Sequence, residues 1–199
     1  MTDTTPIRTR YSAVAMTLHW IIAALILTNV GLGRVGGDME GGEQKIALLQ
    51  WHKTLGVSIL LLSLVRLGWR LTHRPPVLNP NLKAWEKALA HTVHWGFYVL
   101  MIGLPLTGWI MVSASPVIKV YPISFFGLFD WPAIAFLSEL PREQMRAVHG
   151  IFEEAHHLLA KAMIYVLIPL HLLGALKHEF IDRDGELGRM IPFLPPPKA

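Results

Sequence analysis

Four stretches of the chain run almost wholly apolar, and polar segments rich in glycine or proline separate them. A bilayer's hydrocarbon core, about 30 Å thick, is crossed by about 20 mostly apolar residues in a helix. The stretches that meet this length lie at about 14–33 (VAMTLHWIIAALILTNVGLG), 48–69 (LLQWHKTLGVSILLLSLVRLGW), 92–112 (TVHWGFYVLMIGLPLTGWIMV) and 152–176. The pattern predicts an all-α integral membrane protein, a four-helix transmembrane bundle formed as one domain over residues 1–199. The first stretch is too long for the apolar part of a signal peptide, and no clear small-x-small cleavage site follows it. Pro105 and Pro169 fall inside the third and fourth stretches, where local kinks are expected.

The connections differ in character. The first is short and Gly-rich (GRVGGDMEGGEQK), and the second is basic and Pro-rich (RLTHRPPVLNPNLKAWEK). The third is longer and carries aromatics suited to a membrane interface (SFFGLFDWP). Arg8, Arg10, Arg70, Arg74, Lys83, Lys87, Lys177, Arg183, Arg189 and Lys198 gather on one side of the predicted bundle. Only Arg34, Lys45, Lys53, Lys119, Arg142 and Arg146 fall on the other. The positive-inside rule then puts both termini in the cytoplasm.

Composition sharpens this picture in two places. Charged residues make up 16% of the chain, against about a quarter in soluble domains. The net charge of +4 does not form a basic patch that would call for nucleic acid. Cysteine is absent, which removes disulfides, thiolate metal sites and iron–sulfur clusters. Histidine, at ten copies, is left as the metal ligand to consider.

Four histidines fall at matching depths. His19 is early in the first span and His171 late in the fourth, both toward the cytoplasm; His52 opens the second span and His157 the fourth, both toward the outside. His157 and His171 are 171 − 157 = 14 residues apart, which is about 21 Å and about −40° on a straight α-helix. His156 falls about 60° to the other side, so spacing only leans toward His157, and Pro169 blurs the angle. Two facing histidines are too few for a zinc site but suffice for haem, whose macrocycle brings four equatorial nitrogens of its own. Without a C-x-x-C-H motif the haems would be b-type. Gly56 and Gly174 lie near the ligands and would leave room for a macrocycle. His73, His91, His149 and His156 read as interfacial anchors.

These motifs carry a resemblance. LHW at His19, WHKTLG at His52, LVRLGWR, LAHTVHWGFYVLMIGLPLTGWIM, and HH…LH followed by ALKHEFIDRDGELGRMIP together make the chain resemble the prokaryotic cytochrome b561 family. The resemblance covers nearly the whole chain. It implies two b-type haems, with His19 and His171 as iron ligands of the inner one and His52 and His157 of the outer. It further implies transmembrane electron transport. The best described relatives are superoxide oxidases, which oxidise superoxide to dioxygen outside and reduce ubiquinone. The alternative function is that of a haem b electron-transfer and membrane-anchor subunit for a partner oxidoreductase of hydrogenase or formate dehydrogenase type.

On this reading Arg66 and Arg70, one helical turn apart, face haem propionates. Lys53 and Lys161 are the candidates for attracting superoxide to the outer haem. His178, seven residues and so two turns beyond His171, is the first candidate for the quinone, with Lys83 and His94 behind it.

Overall fold

The computed structural model describes residues 10–77 and 82–195; Arg8 and Lys198, counted above in the charge asymmetry, lie outside them. In chain order the elements are helices α1 (Ala13–Asp38), α2 (Glu43–Thr72) and α3 (Ala84–Ser113), then strands β1 (Ile123–Phe125) and β2 (Phe129–Trp131). The short helix α4 (Ala135–Ser138) and helices α5 (Arg142–Ala162) and α6 (Ile168–Leu176) follow. A π-helical turn, Met163–Leu167, joins α5 to α6, and a second, Lys177–Asp182, extends α6. The chain thus has four helices long and apolar enough to cross a membrane: α1, α2, α3 and the composite Arg142–Asp182. Each predicted span falls inside one of them.

Local chemistry sets the ends. Ser12 caps α1, its hydroxyl accepting from the Ala15 N–H at 3.3 Å, and the same oxygen accepts from Trp69 Nε1 at 3.1 Å, tying α1 to α2. α3 continues through Pro105. At Pro169 the outcome differs: the preceding turn is π-helical, with the Ile168 N–H reaching back five residues to the Met163 carbonyl. Proline has no N–H and its ring crowds the carbonyl four residues earlier, so the α-ladder is already interrupted there and a wide turn adds little strain.

The described chain ends meet at one end of the bundle, as four antiparallel spans require. Tyr11 N–H donates to the Arg189 carbonyl at 3.3 Å and Trp20 Nε1 to the Met190 carbonyl at 2.9 Å. Burial is inverted relative to a water-soluble protein. Leu27, Val65, Val99 and Leu173 are exposed in mid-helix while Ser63 and Ser113 are fully buried, because lipid accepts the outward apolar faces. Ile22, Leu100, Met101 and Met163 form one buried cluster, and Val57, Val112, Ile118, Ile123 and Met145 another beneath the third connection.

That connection departs from the all-α expectation. β1 and β2 form an antiparallel hairpin with Ile123 opposite Trp131 and Phe125 opposite Phe129. Its turn places Phe126 at φ 53° and Gly127 at φ 71°, the left-handed pair that matches strand twist in a tight hairpin.

Close helix packing runs from α1 to α2, α2 to α3 and α3 to α5. Neither α1 with the fourth span nor α2 with α5 is closely packed. Those opposed helices meet instead through histidine rings.

Candidate functional site

At the end of the bundle remote from the chain termini, His52 on α2 faces His156 on α5, with ring centres 6.0 Å apart and planes at 83°. At the other end His19 on α1 faces His171 on α6, again at 6.0 Å, with planes at 65°. Metal–imidazole bonds of about 2 Å on each side, plus about 1 Å from each nitrogen to its ring centre, separate the rings of a bis-histidine haem by about 6 Å. Both pairs therefore have the spacing that an iron held axially by two imidazoles demands, and both bridge helices that leave space between them.

The first pair is preset for ligation. His52 Nδ1 lies 3.0 Å from the Asn29 carbonyl, and His156 Nδ1 lies 3.0 Å from the Leu104 carbonyl and 3.2 Å from Thr107 Oγ1. A carbonyl can only accept, so each Nδ1 carries the proton and each Nε2 keeps its lone pair for a metal. Two glycines let the backbone come close enough. A Cβ on Gly33 would stand 2.7 Å from His52 Cε1, and one on Gly108 would stand 3.2 Å from His156 Cε1. Gly56 and Gly174, singled out from the sequence, press on neither ring: Gly56 meets only Asn29, at 3.8 Å, and Gly174 has nothing within 4 Å.

Gly33→Val should therefore displace the His52 ring and break its bond to Asn29. The expected result is loss of the haem at this end with unchanged helix content by circular dichroism. Gly31→Ala, at a position with nothing within 4 Å, should leave haem content at the parent level.

The structure does not set His157 opposite His52. His157 is exposed, and His156 stands opposite His52. The cause is the π turn at Met163–Leu167. Such a turn takes up one residue more than an α-turn, so the interval 171 − 156 = 15 residues acts as 14 would on a straight helix. His156, not His157, then shares a face with His171. Lys161 is four residues beyond His157 and is exposed with it, on the side of α5 away from the pair. Lys53, next to His52, is half-buried.

At the chain-terminal end His171 is the hub, with the rings of His94 at 5.7 Å and Phe97 at 5.3 Å beside that of His19. Arg66 is half-buried and reaches the Ala15 carbonyl at 3.4 Å, one turn before His19. Arg70, one turn further along α2, holds Nη1 buried with no hydrogen-bond partner. It lines a cavity of about 330 Å³ with Tyr11, Pro76, His91 and His94. An orphaned guanidinium nitrogen is costly to bury, and an anionic group such as a haem propionate would satisfy it. The residues present thus fit the macrocycle in ring spacing at both ends, in tautomer at the first and in charge at the second.

The three quinone candidates do not come together. His94 lies in the His171 cluster and on the cavity wall. Lys83 is exposed at the start of α3, its N–H donating to Glu86 Oε2 at 2.9 Å. His178 turns to the C-terminal segment, with Nδ1 2.8 Å from Asp184 Oδ2 and 3.2 Å from Asp182 Oδ2. Glu186 stands nearby, and burial holds its carboxyl above the usual range. On the cavity wall, Tyr11 is not singled out by the sequence and His91 reads there as an interfacial anchor, since nothing local in the chain marks a cavity that opens between distant elements.

Known proteins resemble this chain along nearly its full length. The family model described as Prokaryotic cytochrome b561 matches residues 10–193. The protein named "Cytochrome b561 homolog 2" of Escherichia coli (strain K12) is 28% identical over 185 residues, 92% of this chain and 91% of its own. The "Probable superoxide oxidase CybB" of Yersinia pestis is 29% identical over 184 residues, 92% of this chain and 96% of its own. "Cytochrome b561 homolog 1" of Escherichia coli (strain K12) is 26% identical over 184 residues, 92% of this chain and 97% of its own.

Proposed function

The chain belongs to the prokaryotic cytochrome b561 family of membrane electron-transfer proteins, which carry b-type haem, and from that premise we propose a superoxide:ubiquinone oxidoreductase with two haems. It works in a bacterial inner membrane with both termini in the cytoplasm, in keeping with the cation asymmetry of the connections. The observation that carries the reading is the pair of histidine couples, His52–His156 and His19–His171, each with rings 6.0 Å apart at opposite ends of the bundle. The similarity to a probable superoxide oxidase supports the choice of donor.

Haem, when bound, supplies reversible one-electron chemistry at iron. The chain's own residues do the rest. His52 and His156 would hold the outer group, each kept in one tautomer by a backbone carbonyl, and His19 and His171 would hold the inner. Arg66 and Arg70 offer guanidinium groups to its propionates. Lys53, beside His52, adds positive charge where an anionic donor arrives; Lys161 is too far turned away to share that role. On the cytoplasmic side the cavity lined by Arg70, His91 and His94 offers donors for a quinone carbonyl, and His94 can pass a proton there. His178, with Nδ1 taken by carboxylates, retains Nε2 for the same purpose. Two superoxide anions give up one electron each as dioxygen leaves, and one ubiquinone takes both electrons with two protons from the cytoplasm.

The test uses the purified chain alone. A pyridine haemochrome assay should return about two haems per chain, and enzymatically generated superoxide should reduce them and yield ubiquinol from added ubiquinone. One haem in fully loaded protein would reject the two-couple reading. Two haems that stay oxidised in superoxide, yet are reduced by a partner oxidoreductase, would assign the protein to the electron-transfer and anchor class instead.

A further inference from the structure

We infer that the hairpin Ile123–Trp131 lies within the outer leaflet of the bilayer, its turn and second strand set against lipid acyl chains. Two hydrogen bonds determine its depth. Gln50 Nε2 donates to the Pro122 carbonyl and Thr54 Oγ1 to the Ser124 carbonyl, each at 2.7 Å. The apolar stretch of α2 begins at Leu48, so Gln50 is about 3 Å and Thr54, 54 − 48 = 6 residues on, about 9 Å inside it. The Trp51 and Phe126 rings, 6.1 Å apart in an edge-on contact, place the turn between those depths. After leaving α3 the chain therefore folds back alongside α2 instead of rising into water.

The two sides of the hairpin differ as this placement requires. Ile123, 3% exposed, joins the buried cluster with Val57, Val112 and Met145. Phe126, Leu128 and Phe129 stand 45%, 78% and 52% exposed in one contiguous run. Backbone at membrane depth calls for internal hydrogen-bond partners; the β1–β2 ladder and the Leu128 N–H to Phe125 carbonyl bond supply them between the strands, and Gln50 and Thr54 supply them on the α2 side. Asp130, the hairpin's single charge, is exposed but alternates to the side opposite Phe129, where it lines a cavity of about 200 Å³ with Lys119 and Ser138. Aromatic residues favour this zone of a bilayer. Lipid is the occupant that the depth selects, because the same zone surrounds the flanking helices. The placement is independent of the haem and quinone readings.

The absence of cysteine makes the test direct. Leu128→Cys and, separately, Phe129→Cys would each carry a single nitroxide, on full-length haem-loaded protein in vesicles of phosphatidylethanolamine and phosphatidylglycerol. Val65→Cys, exposed within the apolar stretch of α2, and Glu40→Cys, exposed in the first connection, give the lipid and water references. Both hairpin labels should collide more often with oxygen than with a water-soluble nickel chelate, as at Val65 and opposite to Glu40. Nickel collisions equal to or above those of oxygen would put the hairpin in water and overturn the inference. Labels that neither reagent reaches would also overturn it, by showing a second copy or another protein on this face. If one variant fails to fold, the other decides.

Discussion

His156→Ala should cost the protein one haem, lowering the content from about two to about one per chain, whereas His157→Ala should leave both. Only the first removes a ring that faces His52 at 6.0 Å and is oriented through Nδ1 by the Leu104 carbonyl. His157 is exposed on the outward side of α5, and its loss empties no space between helices. The check is a pyridine haemochrome assay on protein purified with added haem, read beside circular dichroism to confirm the fold. Low-temperature spectra should show one α-band surviving in His156→Ala. Loss of a haem in His157→Ala with retention in His156→Ala would mean that the π turn does not hold in the loaded protein. A deletion tests the same point from the other side. Removing Ile164 shortens the His156–His171 interval to the length that a plain α-helix keeps in register, so that variant should retain both haems.

The second large effect is expected at the inner end, where His171 has two histidine neighbours. His94 at 5.7 Å and His19 at 6.0 Å are not separated by distance. Packing separates them. α3, which carries His94, is in contact with α6 and the π turn before it, whereas α1, which carries His19, is not closely packed on the fourth span. A macrocycle needs its two ligands on opposed helices with room between, and only the His19–His171 couple provides that. His19→Ala should thus abolish the inner haem. His94→Ala should keep both haems and accept electrons from superoxide normally, while ubiquinone reduction falls by roughly a hundredfold, the scale on which a positioned proton donor contributes. Stopped-flow absorbance separates the outcomes, since haem reduction by superoxide and reoxidation by quinone are distinct phases. Haem loss in His94→Ala with full loading of His19→Ala would exchange the two roles.

The four spans are legible in residue order alone, because about 20 apolar residues in a row have no other comfortable medium than lipid. Residue order also shows histidine near both ends of that bundle, and the family to which LHW, WHKTLG and LVRLGWR belong. These are properties of composition and order along one helix at a time. Which histidine stands opposite His52 depends on how the helices pack. One π turn before Pro169 changes the facing of everything upstream on that span, and helical arithmetic on a straight rod carries no sign of it. The same holds for Gly33 and Gly108, whose use lies in the approach of a ring from another helix, and for the orphaned nitrogen of Arg70. The hairpin repeats the point, since the short run SFFGLFDWP reads as an interfacial loop until Thr54 of α2 takes its Ser124 carbonyl and Gln50 the Pro122 carbonyl just before it. Apolar length is summed along the chain, whereas facing, close approach and depth arise only when residues far apart in sequence share one volume.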